Sequence, residues 1–200
     1  NRRQGLYRVD ADTGTVAPIL ERDPAVGALV RPVWMPDGKS IVFTSDRGVR
    51  IVSVDTHVER EVYESPADSG PWQAVPSPDG RLLALALGGT APQRPLLLVP
   101  VDGGPILTVM TPPGAAGTGI AGWTPDGMTL VVWRAIQNGN AKRSAIWSVP
   151  VAGGKPVPLG IEMERMGEAH LSPDGLKISF TAGWSTKETC VLENAIPPVP

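Results

Sequence analysis

Two histidines, His57 and His170, and a single cysteine, Cys190, carry most of the reactive chemistry available to these 200 residues. A hydrolytic triad needs a base held by an orienting group beside a nucleophile. Neither histidine stands in such a pattern, and no Gly-x-Ser-x-Gly elbow or His-x-x-x-His pair occurs. Two separate histidines and one cysteine make no metal cage without carboxylates, and one cysteine makes no intrachain disulfide. Gly117-Thr118-Gly119-Ile120-Ala121-Gly122 spells the dinucleotide fingerprint G-x-G-x-x-G. That motif works only between a strand and a helix N-terminus. Here prolines 112, 113 and 125 flank it, so no helix can begin and a glycine-rich strand is expected. Asp10-Ala11-Asp12-Thr13-Gly14 opens like a calcium loop, with Glu21 at the twelfth position. The competing reading is a hairpin turn, in which Asp and Gly serve the turn itself.

The elements that would position these residues are strands. The chain holds 23 glycines and 22 prolines, both of which oppose an α-helix in its interior. Only Val49 to Ser65 exceeds 13 residues without either, and it is rich in β-branched residues. An all-α fold is excluded. Pro-Asp-Gly occurs four times, with prolines at 36, 78, 125 and 173, spaced by 42, 47 and 48 residues. Each copy precedes a short apolar run: 40–46, 82–88, 129–136 and 177–183. Proline presets the turn, aspartate caps it and glycine supplies the positive φ. Each unit therefore reads strand, turn, strand.

A second motif repeats out of phase with the first. LYRVDADTG (6–14), IVSVDTHVE (51–59), LLLVPVDGG (96–104) and IWSVPVAGG (146–154) align on Val9, Val54, Val99 and Val149, with a degenerate copy at 190–196. A short extended segment follows each full copy. The unit is thus four strands, a to d, in about 45 residues, the size of one β-propeller blade. The expected division of the single domain 1–200 is a half blade at 5–20, blades at 27–65, 70–110 and 117–160, and an incomplete blade at 166–196. The fold class is all-β: a propeller of four-stranded antiparallel blades, about four and a half in number. Strands c and d at one end and a, b and c at the other duplicate a strand. An open arc is therefore expected, with Tyr7 and Val191 at opposite ends and edges prone to self-association.

Trp123-Thr124-Pro125-Asp126-Gly127 and Ile146-Trp147-Ser148-Val149 carry a further signal. Together they resemble the TolB-type β-propeller repeat, a relative of the WD-repeat blade. The resemblance runs from Gly5 to Pro198, with departures at Pro76 and Leu171, where the repeat has tryptophan, and at Cys190, where it has an aromatic. The ending Cys190 to Asn194 is similar to the W-V-x-E-N-F-L-P terminus of large bacterial proteins. The resemblance implies a non-catalytic binding module with a protein or peptide partner and no cofactor, in a periplasmic or otherwise extracytoplasmic setting. It also implies a piece of a longer bacterial protein, whose remaining chain is a partner in its own right. The alternative it carries is a substrate-gating propeller of a prolyl-oligopeptidase or tricorn-like peptidase, with the catalytic residues on another domain. The proline-rich end, Ile196 to Pro200, is expected to be a C-terminus or linker rather than an entry into such a domain.

Within the repeat, strand a is the innermost. Four residues before each motif proline stand Pro32, Ala74, Ala121 and Ala169, all small, as crowding about a channel demands. One residue earlier stand Arg31, Gln73, Ile120 and Glu168, which share no chemistry. Divergence at one geometric position marks these four as a candidate ligand-facing rim; the competing reading is variable solvent-facing residues. His57 falls in a c–d turn opposite Asp12, Asp102 and Ala152, and His170 on strand a, packed or lining the channel. Trp34, Trp123 and Trp147 fall on repeat positions that suit packing between blades. Trp72, Trp133 and Trp184 do not repeat. Eighteen Lys and Arg against 20 Asp and Glu give a net charge of −2. That balance removes the electrostatic footprint of a nucleic-acid or anionic-membrane binder. No apolar run approaches the roughly 18 residues of a spanning helix.

Overall fold

The computed structural model describes residues 4–22, 29–45, 48–66, 69–89, 94–111, 117–138, 141–164, 166–182 and 188–193, and no described segment is helical. Among the described residues, seventeen strands form five antiparallel sheets, each a simple meander. The first sheet has two strands, β1 (Gln4–Val9) and β2 (Val16–Arg22). The second has β3 (Val30–Trp34), β4 (Ser40–Ser45), β5 (Gly48–Ser53) and β6 (Glu59–Glu64). The third has β7 (Pro71–Pro76), β8 (Leu82–Leu87), β9 (Leu96–Pro100) and β10 (Leu107–Met110). The fourth has β11 (Thr118–Trp123), β12 (Thr129–Asn138), β13 (Ala141–Pro150) and β14 (Val157–Glu164). The fifth has β15 (Gly167–Leu171), β16 (Lys177–Ala182) and β17 (Glu188–Glu193). Among the described residues β1 pairs only with β2 and β17 only with β16. The architecture is an incomplete propeller.

Alternation along strand b builds the core. A strand presents successive side chains to opposite faces, and in a propeller both faces meet a neighbouring blade. Leu83, Leu85 and Leu87 of β8 join Met35, Val42 and Ile51 of the preceding blade in one apolar cluster. Ala84 and Ala86, between them, face the other way and join Ile120, Leu130 and Val132 of the next blade. Val131 and Ile146 pack in turn on Ile178 and Phe180, and Ile41 and Phe43 on Leu6 and Ile19. Phe43, Leu83, Leu85, Leu130 and Ile178 are fully buried. Burying a side chain of this size contributes about 1.5–3 kcal/mol, so four such interfaces dominate the stability of the arc.

The Pro-Asp-Gly turns are locally sealed. The glycine N–H closes each turn onto the residue before the proline, at 3.0, 2.9, 2.8 and 2.8 Å for Gly38, Gly80, Gly127 and Gly175. All four glycines lie at φ between 65° and 75°, the left-handed region that glycine enters without cost. In three turns the hydroxyl of the residue before the proline donates to the motif carboxylate: Ser77 to Asp79 at 2.6 Å, Thr124 to Asp126 at 2.6 Å and Ser172 to Asp174 at 2.5 Å. Met35 stands in the remaining turn, and there Asp37 accepts from the N–H groups of Lys39 and Ser40 and, at 3.4 Å, from the Ser40 hydroxyl.

Candidate functional site

Every strand a breaks register once against strand b. The shifts fall between Val30 and Val33, Pro71 and Gln73, Ile120 and Gly122, and Gly167 and Ala169. A bulge re-aims the side chains beside it, and here the re-aimed groups converge. A cleft of about 90 Å³ is lined by Arg31, Trp72, Gln73, Trp133, Glu168, Ala169 and His170, drawn from four different blades.

Arg31 sits at φ +52°, although the residue before a proline favours extended backbone. A non-glycine residue held there costs about 1–3 kcal/mol. The result is a guanidinium 4.9 Å from the centre of the Trp72 ring and 3.9 Å from the Glu168 carboxylate. Both charged side chains remain largely exposed, 45% and 67%, so the pair is a weak brace with room for a ligand to compete. Trp72 is fixed from behind, its indole N–H donating to the Thr118 carbonyl at 3.2 Å. The Trp133 ring meets Trp72 edge-on, with centroids 6.0 Å apart. Gly119 makes that possible, because a Cβ there would lie 2.2 Å from the Trp133 ring.

The four residues singled out at one repeat position divide into three roles. Arg31 and Glu168 face each other across the cleft. Gln73 backs it as a positioning residue: its Nε2 donates to the Ile120 carbonyl at 2.7 Å, and its Oε1 accepts the Ile120 N–H at 2.9 Å. Ile120 is 1% exposed. Its side chain is core and only its main chain reaches the rim, so the rim expectation is corrected there; the bulge beyond Ile120 turns its side chain into the blade interface. Trp72 and Trp133 were not singled out. Their signal was that they are aromatics without a counterpart in the other repeats.

The remaining sequence candidates have structural placements. His170 is exposed on the wall of the cleft. His57 closes a turn at φ +59°, its N–H donating to the Ser53 carbonyl at 3.0 Å. Asp10 is saturated by its own turn, accepting from the N–H groups of Asp12 and Thr13 and from the Thr13 hydroxyl. Those bonds, the Thr13 N–H foremost, hold its carboxyl below the ordinary value of 3.8. Glu21 pairs with Gly5 at the far end of the same hairpin and accepts from the Tyr7 hydroxyl at 3.0 Å. A calcium loop through both is therefore ruled out by strand length, about 3.4 Å per residue over five residues. The G-x-G-x-x-G run is strand β11. Trp123 is packed between blades, but Trp34, expected there too, is 49% exposed. Trp184 and the Cys190 side chain lie outside the described residues.

A larger cleft of about 310 Å³ opens between the second and third blades beside Asp37, Asp79 and Arg81. The less exposed of its two lining arginines is already engaged: Arg60 donates to the Val101 carbonyl at 2.7 Å and lies 3.6 Å from Asp102. The central cleft offers charges of both signs and two aromatic rings, and no nucleophilic hydroxyl, thiol or amine among its lining residues.

The fold and this channel-side cleft define an incomplete β-propeller of TolB-like architecture. The chain is similar to TolB of Acinetobacter baumannii, with a TM-score of 0.74 and 17% identity over 95% of this chain and 46% of that one. It is likewise similar to a protein of Agrobacterium tumefaciens assigned as TolB, with a TM-score of 0.70 and 20% identity over 94% of this chain and 67% of the other. A prolyl endopeptidase structure aligns with a TM-score of 0.59 and 16% identity, over 86% of this chain and 28% of that one. The chain thus spans just under half the length of the Acinetobacter protein. No protein-family model and no curated protein sequence matches it.

Proposed function

We propose that the chain is part of a non-catalytic propeller module that binds a protein or peptide segment at the central cleft. The observation that carries this reading is the convergence of Arg31, Trp72, Trp133 and Glu168 from four blades on one small opening. A peptide matches it: an acidic group or carbonyl on Arg31, an apolar side chain on the two indoles, and a donor toward Glu168. The likeness to TolB structures supports the module and, with it, an extracytoplasmic setting. Prolyl endopeptidase and dipeptidyl aminopeptidase neighbours support a second reading, a propeller that gates a peptidase held on another domain.

Peptide-display selection against the whole chain, followed by calorimetry on the enriched peptides, tests the first reading. Binding is expected to weaken at least tenfold in Trp72→Ala and in Arg31→Ala, and less in His57→Ala. Peptides that bind equally well to all three variants would place recognition elsewhere.

A further inference from the structure

An enclosed polar group is almost always hydrogen-bonded, and a donor shut away without an acceptor carries the cost of its lost water. Three such donors stand on the face that the fourth blade turns toward the third: the Thr118 hydroxyl, the Arg134 Nε and the Trp147 indole N–H. Strand register brings them together. Thr118 pairs with Arg134 and Arg134 with Ala145, while Ile120, Val132 and Trp147 form the neighbouring row. Side chains two residues apart on a strand share a face. Ile120, Val132 and Trp147 pack in one cluster with Ala84, Ala86 and Leu96 of the third blade, so Thr118 and Arg134 face that blade too. Thr118 is 2% exposed, and the Arg134 guanidinium lies over the Trp147 ring, 5.3 Å from its centre. A fourth donor without an acceptor, the Arg94 Nε, stands two residues before Leu96. No carboxylate answers this charge. Glu162, which continues the row beyond Ala145, lies 3.6 Å from Arg143 instead. Burial accordingly pushes the Arg134 guanidinium below its ordinary value.

We propose that Thr118, Arg134 and Trp147 form an oxyanion site, for a ligand of the phosphate, sulfate or carboxylate class, in the interface between the third and fourth blades. The donors present select this chemistry. An ionised oxyanion carries the charge that matches a guanidinium, and it has lone pairs to spare for a hydroxyl and an indole N–H at once. Water could accept from the same donors but would leave the charge unmatched. Arg134 and Trp147 are half-buried rather than sealed, so an anion can reach them from solvent. None of the three lines the central cleft. Their link to it is indirect: the Thr118 carbonyl, not its hydroxyl, holds the Trp72 indole. The oxyanion site therefore stands or falls independently of peptide binding at the cleft.

The test titrates the whole chain with sodium phosphate, sulfate or acetate at constant ionic strength, with sodium chloride as the reference. Nitrogen–proton correlation NMR follows the indole N–H signals, that of Trp147 being assigned with Trp147→Phe. The Trp147 signal is expected to move saturably with at least one oxyanion and not with chloride. The Trp123 signal should stay in place, since its N–H already donates to the Val75 carbonyl. Whichever anion saturates at the lowest concentration tells a tetrahedral oxyanion from a carboxylate. Arg134→Met should weaken binding about tenfold or more, and Thr118→Val by a smaller factor. Urea denaturation separates the site from a packing role. In chloride alone Arg134→Met should unfold at a midpoint no lower than that of the unsubstituted chain, because it removes an unmatched charge. The saturating oxyanion should raise the midpoint of the unsubstituted chain and not that of Arg134→Met. No saturable movement of the Trp147 signal, equal movement with chloride, or undiminished binding by Arg134→Met overturns the proposal. So does a lower midpoint for Arg134→Met in chloride with no gain from oxyanion in the unsubstituted chain, since the guanidinium is then only a brace on the Trp147 ring.

Discussion

Asp79, Asp126 and Asp174 show how one hydroxyl stabilises a turn. Donation from Ser77, Thr124 and Ser172, in that order, is the main reason their carboxyls lie below the ordinary value of 3.8, with a main-chain N–H two residues on as the second. A carboxyl whose folded value is depressed contributes stability that is full above its unfolded value and lost as pH falls through the folded one. The urea midpoint is accordingly expected to hold steady from neutrality to about pH 4 and to decline below it. The triple substitution Ser77→Ala, Thr124→Ala and Ser172→Ala should flatten that decline. An acid limb of unchanged steepness would refute the cap. His57 offers a second test at this scale. Its left-handed φ of +59° is one that glycine adopts freely, so His57→Gly should stabilise the chain by about 0.5–1 kcal/mol. Urea denaturation reads this directly, and a loss of stability would show that the imidazole has a role the turn does not explain.

At the scale of elements, strand β11 fits closely under β12. Gly119 gives up its side chain to the Trp133 indole, and this contact accounts for the middle glycine of the dinucleotide-like run. Gly119→Ala is expected to cost about 1–3 kcal/mol through overpacking. In a Trp133→Ala background the same change should cost within about 0.5 kcal/mol, the range of unconstrained sites. A double-mutant cycle by urea unfolding checks the coupling, and additive effects would mean that the ring is free to move away. Strand β8 supplies the reference for ordinary core loss. Leu85 is fully buried in the second-to-third blade interface, and Leu85→Ala should cost about 2–5 kcal/mol.

At the scale of the whole molecule, each blade leans on the next, and stability should grade along the arc as it does in repeat proteins. Strands β8 and β12, covered on both faces, should exchange their amides most slowly, and β1 among the fastest. Exchange that is uniform from β1 to β12 would indicate a single cooperative unit closed by self-association. Much of this architecture was legible beforehand. The Pro-Asp-Gly turns and the apolar runs after them locate β4, β8, β12 and β16 to within two residues, because turn chemistry and two-residue alternation are local properties. The surplus of strand c likewise anticipated that, among the described residues, β1 and β17 do not pair with each other.

What the sequence determined by itself, then, is the number, order and pairing of strands, through signals that act over two to five residues. Which side chains meet at the centre was decided by the tertiary structure. Arg31, Gln73, Ile120 and Glu168 share a repeat position, yet two enter the cleft, one clamps a neighbouring blade and one is buried. The reason is the bulge in each strand a. It falls at a slightly different residue in each blade, and a one-residue slip turns a side chain to the opposite face. Trp72 and Trp133 meet for the same reason. Their contact depends on a bulge in one blade and a missing Cβ in the next, and packing between blades settles both.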